Sequence, residues 1–383
     1  MKLLDRYVLR NFLEPFLICF FGFLSIWLLF DLMDNLTEFT SAHASVKVIA
    51  FYYLTQLPQI VLISLPVGLL LALLFSLSSM SRRNEIISML TAGVSVPRVM
   101  LPLILVGVVT SGLLLWLNYE LAPHAEAVKK SSLEQIGRGR RQGEVEPVDG
   151  YLFRDRLNNR TWFIQRFRPE SMQFDGVHIM QQDAEDRIVK KWYAGRAIYD
   201  PRTKTWSLLK GIIREFNEAG DIDDAKTINF ENDYRVIRDW SETPWRIGSA
   251  HEDAQNLTVP ELRSYLTYNA DFPAVQLAPF RTYAQYRLAV PLQCLVVIFF
   301  AGPLAIVFSR RGVIGGVAGA MFLYAGLLLS TYFCLALGKG SRVSPLVAGW
   351  APNAFFFLIG AVLLYFRGSN RELPKLSFRR KRA

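Results

Sequence analysis

The chain of 383 residues is 51% hydrophobic and has a positive mean hydropathy of +0.22, which is too apolar for an ordinary soluble enzyme of this length. Its net charge of +10 is unevenly divided: residues 121–280 carry 23 Lys and Arg against 25 Asp and Glu, and the remainder carries 20 against 8. Membrane topology explains this basic excess better than binding to nucleic acid does.

The sequence contains six long apolar runs, three before and three after a polar central block. They cover residues 12–30, 57–77, 99–117, 288–308, 313–337 and 346–366. Each is close to the ~20 residues that a helix needs to cross a bilayer. The sequence therefore predicts an α-helical membrane protein with six transmembrane helices and an inserted domain. We divide it into residues 1–120, the insert at 121–280, and 281–383 with the last spans and a basic tail.

The start of the chain and its first span carry two polar patterns. Residues 1–14 predict a separate interfacial amphipathic helix whose apolar side is formed by Leu4, Tyr7, Val8 and Phe12. No cleavage site follows the first span, which argues against a removable signal peptide. Asp31 and Asp34, near the far end of this span, are costly in hydrocarbon. We expect this acidic pair at the interface or facing a wet cavity.

Between spans two and three, residues 81–93 predict a short independent helix, here called the connector helix. We expect Ser81 to cap it, Gly93 to end it, and Ser95 with Pro97 to start the next helix. The candidate docking residues are an apolar stripe and its polar neighbours: Arg82, Arg83, Glu85, Ile86, Ile87, Met89 and Leu90. Such a helix suits docking to a soluble motor, or an interfacial connector whose arginines contact anionic lipid. Both interpretations stay open.

The central block has the pattern of an all-β domain. Residues 151–157 and 160–167 alternate around Asn158-Asn159, which is typical of a hairpin. Short strands are predicted at 176–180, 188–193, 196–199, 205–209 and 211–216, and this frequency favours a sandwich or jelly roll. Thr258 and Glu261 form a capping box that opens a helix through Tyr268. The domain is either an inert spacer or a unit that pairs strand edges with a partner or passes an apolar ligand.

Small and polar residues within the last three spans predict helix contacts. Gly312, Gly315, Gly316 and Gly319 permit close approach of another helix, either in this chain or in a partner. Pro66, Pro291 and Pro303 predict kinks or interrupted helices. Asn353 is expected to form a hydrogen bond to a neighbouring helix rather than to contact a substrate.

Several enzymatic signatures are missing from the sequence. It contains no G-x-x-x-x-G-K-[ST] loop, no G-x-S-x-G and no H-E-x-x-H. Its four histidines, His43, His124, His178 and His251, are scattered, and its three cysteines, Cys19, Cys294 and Cys334, all lie in predicted spans. We therefore expect no catalytic site, metal or cofactor in this chain.

Positive charge predicts the orientation of the spans. With the start of the chain in the cytoplasm, the cytoplasmic segments carry fifteen Lys and Arg and the short outer loops carry three. Both termini are then cytoplasmic, and residues 121–280 lie on the other side of the membrane, which is the periplasm of a Gram-negative cell.

Five sequence features together resemble the lipopolysaccharide export permeases (LptF/LptG, also YjgP/YjgQ), and LptG more closely. They are Leu4-Asp-Arg-Tyr7, Arg83-Asn-Glu-Ile86, Thr91-Ala-Gly93, Glu120-Leu-Ala-Pro123 and Tyr199-Asp-Pro-x-x-Lys-x-Trp206. The resemblance covers the whole layout. It implies a jelly-roll insert, a second LptF-like permease, a dimeric LptB-like ATPase that binds ATP and magnesium, and an LptC-like periplasmic bridge. The connector helix with Glu85 would then seat in the ATPase, and lipopolysaccharide would enter between the two permeases.

The chain departs from that family after span one, where basic residues suited to lipid A phosphates are expected. Here residues 31–38 are acidic and Lys47 is the nearest cation. Lys47, Arg281 and Arg287 are our candidates for the head-group contacts, unless the partner supplies them or the head group differs. Two other functions stay open: a permease for another lipid or lipoprotein, and an energy-independent scaffold for periplasmic partners.

Overall fold

The computed structural model describes residues 3–41, 45–122, 125, 148–168, 173–217, 220–238, 240–249, 253–306 and 312–368. The basic tail beyond residue 368, three histidines (His43, His124 and His251) and Pro123 of the Glu120 motif lie outside the described residues. The chain divides into two compact units. The helical unit contains residues 1–138, 254–263 and 274–383, and the sheet unit contains 139–253 and 264–273.

The described part of the chain contains six helical segments that are long and apolar enough to cross a membrane, as predicted. They are built from α1 (Leu3–Ser41), α2 (Val46–Arg82), α4 (Val96–Trp116) with a π-helical turn (Leu117–Leu121), α7 (Ala274–Ala289) joined to α8 (Gln293–Ala305) by a 3-10 turn (Val290–Leu292), α9 (Gly312–Lys339) and α10 (Pro345–Gly368). The connector helix is α3 (Glu85–Thr91). Pro291 lies in the 3-10 turn, so the interruption predicted there is confirmed.

The first helix is longer than predicted. Residues 1–14 do not form a separate interfacial helix, because the described residues from Leu3 onward run without a break into span one, with Pro15 inside α1. Of the predicted apolar side, Val8 and Phe12 are buried, whereas Tyr7 is exposed. Asp5 forms an ion pair of 2.8 Å with Arg98 at the start of α4. This contact fixes the beginning of α1 against the bundle.

Helix α2 and the α7–α8 segment form the centre of the helical unit. In the most apolar stretch of each of these two spans, 67% of the residues are buried, compared with 6% in α1 and 22% in α9. Leu69, Leu73 and Leu77 of α2 pack with Phe300 of α8 in one continuous apolar core. Helices α1 and α9 therefore present most of their surface outward.

Helix α10 lies very close to the α7–α8 segment because glycines face it. A Cβ atom at Gly349 would lie 2.9 Å from the backbone of Gln285, and one at Gly360 would lie 2.8 Å from the backbone of Phe299. Between them, the Asn353 side-chain amide donates to the Ala289 carbonyl over 2.6 Å. The predicted interhelical role of Asn353 is therefore confirmed.

The described residues of the sheet unit form six antiparallel strands in the order of the chain. They are β1 (Val148–Asp155), β2 (Arg160–Arg168), β3 (Gln173–Gln182), β4 (Ile188–Asp200), β5 (Thr205–Glu215) and β6 (Ile228–Ile237), followed by α5 (Pro244–Ser249). The hairpin at Asn158-Asn159 is confirmed, with Asp155 opposite Arg160. The capping box is also confirmed, since Thr258 and Glu261 bond reciprocally at the start of α6 (Val259–Tyr268).

The inserted all-β domain is confirmed, but its strands are fewer, longer and differently connected. The segments predicted on either side of Gly195 form one strand, β4, and those on either side of Lys210 form one strand, β5. The described residues form a single meander, whereas a sandwich would need two packed sheets. Strand β6 was not predicted, because it is mostly exposed and only Phe230 is buried.

One face of the sheet holds an aromatic core that includes Trp162, Phe174 and Trp206. The Tyr199–Trp206 motif forms the hairpin between β4 and β5, where Tyr199 packs on Trp206. Hydrogen bonds from the Arg202 amide and the Thr203 hydroxyl hold the pKa of Asp200 below its usual value. This motif therefore serves the turn and the core.

Buried charges in the sheet unit are paired. Arg160 donates to both carboxylate oxygens of Glu242, at 2.9 and 2.8 Å. Arg246 contacts Asp155 at 3.3 Å and Asp271 at 3.0 Å. Because each of these side chains is almost fully buried, the pairs compensate a desolvation cost of several kcal/mol per ion.

Candidate functional site

A cavity of about 610 Å³ lies among the membrane-spanning helices of the helical unit. Its wall is mainly apolar, with contributions from Phe23, Leu62, Ile63, Pro66, Val67, Ala122, Val290, Leu328 and Leu335. Polar side chains converge on it from four of these helices and from the segment before α6: Gln59, Asn118, Gln255, Tyr283, Tyr286, Arg287, Gln293, Tyr324, Thr331 and Tyr332. An apolar cavity with a few oriented polar groups is typical of a ligand site.

Arg287 is the predicted head-group residue that the structure places in this cavity. Its guanidinium donates to the side-chain oxygen of Asn118 at 3.3 Å and to the Gln255 carbonyl. Asn118 in turn donates to the Arg287 carbonyl at 2.7 Å, from the π-helical turn that ends span three. A π-helical turn re-aims side chains and occurs often at functional sites. The Arg287 side chain is therefore held in one orientation.

The other two predicted head-group residues are elsewhere. Arg281 and Lys47 are exposed, and neither is among the described residues that line the cavity. The structure supplies a different cation: Lys339 at the end of α9 contacts the Tyr283 hydroxyl at 3.3 Å and lies over its ring. In the sequence, Lys339 is one of the three basic residues of the short outer loops and has no other predicted role. Its position near a cavity-lining tyrosine could not be predicted from spacing in one helix.

Tyrosines form much of the polar lining and were not predicted. Tyr283 and Tyr286 lie on α7 with ring centroids 5.9 Å apart, and Tyr324 and Tyr332 lie on α9. Gln293 donates to Thr331 over 3.3 Å across the cavity wall. The sequence feature that could have indicated them is the presence of four tyrosines inside or beside apolar runs, where a phenol hydroxyl needs a polar partner.

The two aspartates of span one, Asp31 and Asp34, lie in different environments. Asp31 is buried and accepts a hydrogen bond of 3.4 Å from the Tyr52 hydroxyl, within a small cluster that includes Phe39. Asp34 is exposed. Neither carboxylate is among the described residues that line the large cavity. The buried member therefore has a local role in packing α1 on α2.

The connector helix begins and ends sharply. Ser81 does not cap it, because Ser81 is buried inside α2; the N-cap is Asn84, in a left-handed conformation with φ of 59°. Gly93 follows the helix with φ of +86°, as predicted for a terminating glycine. Ser95 then precedes α4. The short helix therefore lies between two residues whose backbone has the left-handed conformation.

The candidate docking residues lie on two sides of the connector helix. Ile86 is buried in the core of the helical unit, and Met89 and Leu90 pack against that core. Ile87 is half-buried. Arg82 and Arg83 are exposed, and the Glu85 carboxylate lies 3.9 Å from Arg83. The apolar stripe therefore anchors the helix to its own chain, and a partner would meet the polar side.

Two of the four glycines at the start of α9 have room beside them. Among the described residues, a Cβ at Gly315 would meet no atom within 4 Å, and one at Gly319 would meet only Leu304, at 3.9 Å. Gly316 is half-buried, and Gly312 is the first residue of α9. Close packing against the described part of this chain does not explain Gly315 or Gly319.

Among the described residues, no group of three or more His, Cys, Asp or Glu side chains could hold a metal ion. The sequence model of one family, described as "Lipopolysaccharide export system permease LptF/LptG", matches residues 6–365. A search of curated proteins found no match.

Proposed function

The chain belongs to the LptF/LptG family of lipopolysaccharide export permeases, and from this premise we propose that it is one permease subunit of an ATP-driven exporter. As a member of that family with six apolar helices, it is a multi-pass protein of the inner membrane. Its proposed task is to extract lipopolysaccharide from this membrane and pass it to a periplasmic bridge. The observation that carries the proposal is the cavity of about 610 Å³ between the spanning helices.

The proposed orientation follows from charge. The basic ends of the spans lie in the cytoplasm, and residues 121–280 lie in the periplasm. Arg287, Asn118 and Lys339 then lie toward the periplasmic side of the spans. Phosphate or sugar groups of the lipid would meet these donors, and acyl chains would meet the apolar wall.

A second permease completes the proposed site. A cavity of this size suits a drug-sized ligand and not a whole multi-chain lipid. Helix α9 is largely exposed in this chain, and Gly315 leaves room on it. We assign this face of α9 to an LptF-like partner, which would close the other half of the lipid site.

The work of extraction is proposed to come from a dimeric LptB-like ATPase, which binds the ATP and magnesium. Each methylene moved from an apolar site to water costs about 0.8 kcal/mol, so several acyl chains need an external energy source. The connector helix suits the coupling because Ile86 lies in the same core as α2 and α8. A displacement of its polar side, including Glu85, would be carried into the helices that line the cavity.

Filling the cavity tests this proposal. Leu328 lines the cavity on α9, and Leu358 is 63% exposed on α10, whose exposed face is not assigned to the partner. In the reconstituted complex with partner permease, ATPase and bridge protein, Leu328→Trp should reduce ATP-dependent lipopolysaccharide transfer at least about tenfold, because the indole occupies the lipid space. Leu358→Trp should transfer normally. Equal transfer by both variants, with both complexes intact, would contradict the role of the cavity.

A further inference from the structure

A second cavity, of about 440 Å³, lies in the helical unit between α1, the end of α2 and the start of the connector helix. Ile18 and Cys19 of α1 and Phe75 of α2 form part of its apolar wall. It shares no lining residue with the larger cavity. It is therefore a separate site, and its ligand is inferred independently of the proposed substrate of the exporter.

Polar groups that lack partners point to a ligand in this cavity. Glu14 and Asn11 line it from α1, and the described contacts give neither side chain a hydrogen bond or ion pair. Ser76 lines it from α2; this residue is 3% exposed, and its hydroxyl has no hydrogen-bond partner. The unsatisfied buried hydroxyl carries a free-energy cost that a bound molecule would offset, and Glu14, which is exposed, leaves its carboxylate open to a ligand.

The charges of the lining define the chemistry of that molecule. Glu14 supplies a carboxylate and Arg83 supplies a guanidinium, whereas Glu85, beside Arg83, is left to the proposed ATPase contact. The carboxylate suits an ammonium group that can donate hydrogen bonds, and the guanidinium suits a phosphate. Because the apolar wall continues along α1 and α2, the same molecule would carry a hydrocarbon chain.

We propose that this cavity binds the head group of a phospholipid with a primary ammonium, of the phosphatidylethanolamine class. The ammonium donates to Glu14, the phosphate accepts from Arg83, and an acyl chain lies along Ile18 and Phe75. A choline head group fits less well, because its quaternary nitrogen has no hydrogen to donate. The bound lipid would join span one to the connector helix.

Lipid retention tests the proposal on the intact permease complex. The complex is placed in nanodiscs of either phosphatidylethanolamine or phosphatidylcholine, each mixed with phosphatidylglycerol, and the lipids that survive extraction into detergent are counted by native mass spectrometry. We expect one additional phosphatidylethanolamine per copy of this chain, and no equivalent phosphatidylcholine. Glu14→Gln should weaken its retention about tenfold, because the ammonium then donates to a neutral amide oxygen instead of a carboxylate.

Matched variants separate the site from general effects on the membrane surface. Glu38→Gln removes an exposed carboxylate from the other end of α1 and should retain the lipid. Cys19→Trp fills the cavity and should expel the lipid, whereas Leu17→Trp, at an exposed position on the same helix, should not. Equal retention of the choline lipid, preferential retention of the glycerol lipid, or unchanged retention in both Glu14→Gln and Cys19→Trp would overturn the proposal.

Discussion

In the sheet unit the buried charges face one another, whereas in the helical unit many polar side chains line cavities. Arg160 with Glu242 and Arg246 with Asp155 compensate each other inside a dense aromatic core. Glu14 and Ser76 instead border open space in the helical unit. This difference indicates that polar groups fix one conformation in the sheet unit and are kept for ligands in the helical unit.

Breaking the Arg160–Glu242 pair should give the largest effect on stability. Arg160→Ala leaves a buried carboxylate without its cation, and we expect the free energy of unfolding of the sheet unit to fall by about 3–5 kcal/mol. Denaturant titration of the full chain, followed by tryptophan fluorescence, measures this because Trp162 also bonds Glu242. The control is Arg154→Ala, which removes an exposed pair with Asp186 and should change stability by less than about 1 kcal/mol. Equal losses of unfolding free energy in the two variants would contradict the special role of the buried ion pair.

Close backbone approach, rather than charge, should hold the helical unit together. Gly360→Leu places a side chain against the Phe299 backbone and should destabilise the chain by about 1–3 kcal/mol. Gly315→Leu, on an open face, should leave the stability of the isolated chain unchanged. It should nevertheless weaken assembly with the second permease. Thermal unfolding and co-purification measure the two effects, and a large loss of stability in Gly315→Leu would show that this face packs within the chain.

A polar residue of the large cavity should contribute little to stability. Gln293→Leu removes the bond to Thr331, and side-chain hydrogen bonds between membrane helices average only about 0.6 kcal/mol. We expect a change near this size in thermal unfolding of the detergent-solubilised chain. A loss comparable to that of Arg160→Ala would mean that the cavity lining is structural, and the comparison between the units would fail.

Features set by local sequence were predictable, and those set by distant contacts were not. Six apolar runs gave six spanning segments because length and hydropathy alone decide whether a helix can span a bilayer. The hairpin at Asn158-Asn159 and the Thr258–Glu261 capping box depend on contacts within a few residues, so these two predictions were also confirmed. Strand β6 escaped prediction because an exposed edge strand has almost no apolar alternation.

The candidate site was only partly predictable for the same reason. Arg287 could be chosen as a cation near the mouth of a span, but its bonds to Asn118 and Gln255 join segments far apart in the chain. The apolar stripe of the connector helix was read correctly as a stripe, but periodicity does not tell whether Ile86 faces a partner or its own core. Both cavities arise from helices that only the fold brings together.

The most direct test of the central claim is photo-cross-linking of lipopolysaccharide to the large cavity before and after ATP is added. A photoreactive residue replaces Tyr332, which lines the cavity, or Phe355, which is exposed on α10. In the assembled exporter, we predict a lipopolysaccharide adduct at position 332 that decreases when ATP is supplied, and little adduct at position 355. Equal adducts at both positions, or an adduct at 332 that ATP does not change, would contradict the claim that this cavity holds the exported lipid.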